Sequence, residues 1–140
     1  MTLSSDQLAR LRRLFLGLTG LTCLAFALGA LTLGRPDPFS PLVPLGMGVI
    51  AALAIGGAAF IAGDAVASQT EDEGYDRDRS RAERWGYWVA LLMYPIFGVA
   101  LSFDWIEFPV AFAAMGTLTG ATYLLVFVLL DARGAPLAEE

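Results

Sequence analysis

Histidine, lysine and asparagine are absent from this chain, and cysteine occurs once, at Cys23. Without histidine the protein lacks the commonest haem, zinc and copper ligand and the commonest general base. Without lysine it has no Schiff-base chemistry. A single cysteine forms neither an intramolecular disulfide nor a metal-binding cluster. Charge is scarce as well. Only 16% of the 140 residues are charged, against ~25% in a typical soluble domain. The net charge of −5 and an isoelectric point near 4.6 have the wrong sign for a phosphate backbone, which excludes a nucleic-acid binder. Hydrophobic residues, in contrast, make up 56% of the chain, with a mean hydropathy of +0.62. A chain of 14.9 kDa has too little interior to hide that much apolar surface from water. The composition therefore excludes an ordinary soluble enzyme and a disordered chain, and leaves an integral membrane protein.

Crossing a bilayer core of about 30 Å takes about 20 apolar residues in a helix. Four uncharged runs are long enough, at about 14–33, 43–63, 85–103 and 108–130. None alternates as a barrel strand does, and a lone span in lipid must satisfy its own backbone, so each is predicted to be a helix. The expected fold is all-α, a four-transmembrane-helix bundle spanning 14–131, with an N-terminal segment 1–13, a charged linker 64–84 and a tail 132–140. Gly34-Arg35-Pro36-Asp37-Pro38 ends the first span, because proline cannot continue a helix. Pro44 and Pro109 fall in first helical turns, where a missing N–H costs little. Phe60, Asp64 and Ala65 recur as Phe127, Asp131 and Ala132 at a constant offset of 67 residues. Such an echo implies two parallel helical hairpins rather than the inverted repeat of many transporters.

Arginine placement predicts orientation. Arg10, Arg12, Arg13, Arg77, Arg79, Arg81, Arg84 and Arg133 flank one side of the spans, and Arg35 alone flanks the other. By the positive-inside rule both termini and the long linker are cytoplasmic. Arg12-Arg13 also resembles a twin-arginine export signal, but the apolar run that follows is too long for a cleavable segment. The pair reads instead as an anchor for the first helix.

No ionisable residue lies inside any span, whereas ion pathways and proton relays usually keep one at membrane depth. Asp64 and Asp131 come closest, as an interfacial carboxylate pair at two helix ends, where the macrodipole disfavours them. The acidic stretch from Glu71 to Asp78 fails as a calcium loop, since Arg77 stands where the glycine is needed. It reads as a salt-laced helix leading into span three, with Glu73–Arg77 and Arg79–Glu83 pairs and a Thr70–Glu73 capping box. Pro95 predicts a kink midway along span three. Thr19, Thr22, Thr117, Thr119 and Thr122 are expected to bond back to their own helices. Small residues give the clearest positive pattern. Gly48, Ala52 and Gly56 form a ridge on span two, and Gly116 and Gly120 a GxxxG in span four. In lipid, close approach across small faces is what joins helices. Packing within the bundle is the first expectation for these positions, with a partner interface as the second.

Four spans with a linker running from Glu71-Asp72-Glu73 to Arg84-Trp85 resemble small uncharacterised four-helix bacterial inner-membrane proteins. The Arg-only, Ala/Gly/Leu-rich composition suits a GC-rich bacterial genome. The resemblance is one of layout and implies no activity. Small multidrug transporters share the size but rely on an acid inside the first span, and residues 14–33 contain none. Fluoride channels carry a polar pore signature that a chain without asparagine lacks. The expected role is non-catalytic: an accessory or structural subunit of a membrane complex, or a homo-oligomer, in the bacterial inner membrane. No cofactor or metal is expected. The expected contacts are the lipid bilayer and a membrane-protein partner or a second copy. A small channel or carrier for a neutral or apolar solute, lined by Thr and Tyr, is the alternative.

Overall fold

The computed structural model describes residues 4–63 and 73–134. These form four helices: α1 (Ser5–Leu33), α2 (Leu42–Ala62), α3 (Glu73–Ser102) and α4 (Phe108–Gly134). Helix α1 starts at a reciprocal cap. The Gln7 N–H donates to Ser4 Oγ at 3.3 Å and the Ser4 N–H donates to Gln7 Oε1 at 3.1 Å, so two otherwise orphaned donors are satisfied. At its other end Gly34 adopts φ +61°, and the Arg35 N–H donates to the Ala30 carbonyl at 3.2 Å. This left-handed turn closes the helix at a residue with no Cβ to clash. Helix α3 ends in the same way, with Asp104 at φ 54°. There the Trp105 N–H reaches the Ala100 carbonyl at 2.9 Å and the Asp104 N–H reaches Leu101 at 3.2 Å. Aspartate is one of the few side chains that tolerates this conformation.

Helix α3 runs unbroken from the charged linker into the third span and continues through Pro95. The predicted Arg79–Glu83 pair is present at 3.0 Å. The Thr70–Glu73 cap and the Glu73–Arg77 pair fall on side chains outside the described residues.

Helix α1 packs against α4 on one side and α2 on the other, and α3 packs on the far side of α4. The helices are thus arranged in the serial order α2–α1–α4–α3. Ion pairing brings the start of α1 to the end of α4, and Tyr75 at the start of α3 meets Phe127 of α4. At the opposite end the Phe26 ring of α1 lies edge-on to Phe39, in the turn leading into α2. Two hairpins therefore run in the same direction, as the sequence echo implies. Alanine dominates the contacts: Ala27, Ala30, Ala82 and Ala114 are fully buried, which lets helix backbones approach closely. Phe97, Ala111 and Ala114 form a compact core between α3 and α4.

The outside is apolar. In each helix the most hydrophobic stretch is at most 28% buried within the chain, and Phe60 is 89% exposed. Exposed apolar surface on this scale is unstable in water and suits a hydrocarbon solvent. The chain is a multi-pass membrane protein with four spans.

Candidate functional site

At the end of the bundle where α1 begins, Asp131 holds two guanidinium groups. Arg12 Nη2 lies 3.2 Å from Oδ1 and Arg13 Nε lies 2.6 Å from Oδ2. The side chains of Arg12 and Asp131 are only 9% and 11% exposed, while Arg13 is 26% exposed. Arg12 also sits over the Tyr75 ring, 4.2 Å from its centroid, with the Phe127 ring at 5.7 Å. Those two rings meet edge to face at 5.4 Å. One buried cation thus joins α1, α3 and α4 through charge and through two π faces. The carboxylate lies in the last turns of α4, where the dipole alone disfavours it, and the two arginines reverse that local balance. Asp78 is buried one turn beyond Tyr75 on the same side of α3, 4.0 Å from Arg77 Nε.

This node changes the reading of two sequence features. Arg12-Arg13 does more than anchor α1 at an interface, because both side chains turn onto α4. Asp131 is an ion-paired group, and its suggested companion Asp64 lies outside the described residues. The clue was present in the sequence: a basic pair at the start of the first span and an acid at the end of the last meet whenever those two helices are antiparallel neighbours.

The small-residue positions are distributed differently from the expectation of packing within the bundle. Among the described residues, a Cβ at Gly48, Gly56, Gly116 or Gly120 would meet no atom within 4 Å, and Ala52 is exposed. Helix α2 buries Ala51 and Ala58 instead, so its Gly48–Ala52–Gly56 ridge points away from the rest of the chain. The described residues of the bundle do not cover that ridge. The close approaches occur elsewhere. A Cβ on Gly20 would lie 3.0 Å from Leu125 and 3.1 Å from Leu124, and one on Gly86 would lie 3.4 Å from Tyr123 Cβ. These glycines face a large side chain on a neighbouring helix, a relationship that a spacing motif within one helix does not encode.

Pro95 leaves the Leu91 carbonyl without its helical donor and lies on the exposed side of α3. The threonines bond as expected. Thr19, Thr22, Thr117, Thr119 and Thr122 each donate to the carbonyl four residues earlier, at 2.7–2.9 Å. Thr19 Oγ1 also lies 3.4 Å from the Met47 carbonyl across the α1–α2 contact.

Two cavities lie toward the end opposite the node. One, of about 600 Å³, is an apolar crevice between α3 and α4 with Gly98 and Gly116 among its lining residues. The other, of about 960 Å³, is a more polar mouth between the end of α1 and the α3–α4 turn, lined in part by Asp104, Trp105 and Glu107. Phe97, Leu101 and Phe108 line both. Comparison with family models, curated proteins and solved structures gave no match to this chain.

Proposed function

We propose that this protein is a non-catalytic membrane subunit that acts through helix–helix contact, as an accessory component of a larger complex or as a homo-oligomer. The observation that supports this reading is the uncovered ridge of α2. Among the described residues a Cβ at Gly48 or Gly56 meets open space, and the main contact of helix α2 is with α1. A ridge of small residues facing lipid gains little there, whereas a second helix can approach it closely. A Thr-lined solute path has less support, because the Thr hydroxyl protons are already committed to carbonyls of their own helices.

The test is Gly56→Leu beside Val49→Leu, a matched change on an exposed position of the same helix. Gly56→Leu should leave the thermal unfolding of the monomer unchanged, since none of the described residues lies against it. It should lower the oligomeric mass in mild detergent, or release a stoichiometric co-purifying protein. Equal mass and equal partners in both variants would remove the basis for an assembly role.

In this reading the node faces the cytoplasm of a bacterial cell and the two carboxylate-bearing turns face the periplasm. Reporter fusions at Asp37 and Glu107 should then be active on the periplasmic side, and fusions at Tyr75 and Glu140 on the cytoplasmic side. The reverse pattern would overturn the orientation and leave the assembly role untouched.

A further inference from the structure

We propose that the outer face of α3, at Arg77, Arg81 and Arg84, holds the headgroup of an anionic phospholipid, with Trp88 beside the start of its acyl chains. This contact is separate from the α2 ridge, and it holds whichever side of the membrane the node faces.

Helical register gathers the stripe. At about 100° per residue, Arg77, Arg81, Arg84 and Trp88 fall within about 60° of one another on α3. Ala82 and Gly86 are buried and lie about 150° from the centre of that stripe. A Cβ on Gly86 would meet Tyr123 of α4, and the main contact of α3 is with α4. The stripe therefore looks away from the bundle. Arg81 and Arg84 are exposed, and the Arg77 side chain is 65% exposed.

The acids of the same segment are sorted onto other faces. Asp76 and Glu83 lie about 110–130° from the centre of the stripe, and Glu83 is already engaged by Arg79 at 3.0 Å. Asp78 is buried, with Arg77 Nε at 4.0 Å. Among the described residues, Arg81 and Arg84 have no carboxylate within 4.0 Å. The two stand three positions apart, the spacing of neighbours on a helix surface, so both reach one headgroup. A guanidinium fork matches a pair of phosphate oxygens. A zwitterionic head would bring a cation of its own to the stripe, whereas an anionic head brings only the complementary charge.

Depth places phosphate at these side chains. Trp85 and Trp88 are 60% and 50% exposed, and indoles of this kind sit at the boundary between headgroups and hydrocarbon. Arg84 and Arg81 precede Trp88 by four and seven residues, which puts them about 6 and 10 Å farther out along the helix. The headgroup layer beyond the hydrocarbon core is about 5–7 Å thick on each side. Arg84 is thus level with the phosphates, and the long stem of Arg81 bends back to them from just outside.

The test uses the full chain in nanodiscs, with Trp85→Phe and Trp105→Phe leaving Trp88 as the only indole. The probes are phosphatidylglycerol and phosphatidylcholine with brominated acyl chains, each titrated into unbrominated phosphatidylcholine. At physiological salt, phosphatidylglycerol should quench Trp88 at a mole fraction about five-fold lower than phosphatidylcholine. Arg81→Gln with Arg84→Gln should abolish that preference. Arg10→Gln with Arg133→Gln, which removes the same charge from α1 and α4, should keep it. Arg81→Lys with Arg84→Lys preserves charge and should retain at least half of it. Unfolding temperatures measured on each variant separate lost binding from lost fold. Equal quenching by the two lipids, or a preference that survives the Arg81/Arg84 glutamine pair, would overturn the proposal. Loss of the preference in the Arg10/Arg133 pair, or in the lysine pair, would overturn it as well. Glycerol phosphate in solution should leave the quenching unchanged, and relief of quenching by it would overturn the lipid contact and assign the stripe to a soluble phosphate compound.

Discussion

Asp131→Asn is expected to lower the stability of the protein by about 3 kcal/mol, the low end of the cost of stripping one partner from a buried ion pair. The substitution keeps the shape and removes only the charge. Arg12 is then left with its side chain 9% exposed and without Asp131 as its carboxylate partner on α4. Arg13, at 26% exposed, relaxes toward water, which holds the cost at the low end. The contrast that identifies the mechanism is Arg12→Met with Asp131→Leu. Exchanging a buried pair for apolar side chains of similar volume is often neutral, so the double variant should regain most of what Asp131→Asn loses. The measurement is unfolding by heat or denaturing detergent, followed by circular dichroism. A double variant as unstable as the single one would show that the ion pair is more than a satisfied burial of charge. An Asp131→Asn protein as stable as the parent would show that the node carries no net energy.

The second large effect is expected at Gly20. Its missing side chain is what lets α1 and α4 meet, since a Cβ there already crowds Leu125 at 3.0 Å and Leu124 at 3.1 Å. Gly20→Leu should cost about 1–3 kcal/mol through overpacking and should loosen the contact that joins the two hairpins. Gly56→Leu, with no neighbour among the described residues, is the internal control. If the two variants unfold alike, the α1–α4 contact tolerates bulk and the packing described here is not what holds the hairpins together.

The architecture was legible in the sequence because membranes impose simple rules. Four uncharged runs of the right length, with a proline-rich turn and a very short turn as two of their three connections, lead directly to four helices in two parallel hairpins. The pairing of helices was not legible. Apolar residues surround each span, so no stripe marks the buried face as it does on a soluble amphipathic helix. The ridge of α2 shows the difficulty. Gly48, Ala52 and Gly56 have the spacing of a packing motif, yet the residues that touch α1 are Ala51 and Ala58. Spacing gives the width of a face, and the direction of that face depends on helices elsewhere in the chain. The Arg12–Asp131 contact was illegible for the same reason. Its members were visible singly, as an anchor and as a helix-ending acid, and only the α1–α4 packing brings them together.

The serial order of the helices also governs how the protein is made. A ribosome adds about 5–20 residues per second, so Asp131, 119 positions after Arg12, follows it by about 6–24 s. Through that interval α1 is in the membrane with its principal neighbour unmade. Arg12 then lacks Asp131, and the Gly20 notch is empty. The α3–α4 hairpin, by contrast, closes across the short turn between Ser102 and Phe108 as soon as it emerges. The last helix synthesised is therefore the one that completes the first. A chain that stops before α4 therefore leaves Arg12 without Asp131 and the small-residue notch at Gly20 open.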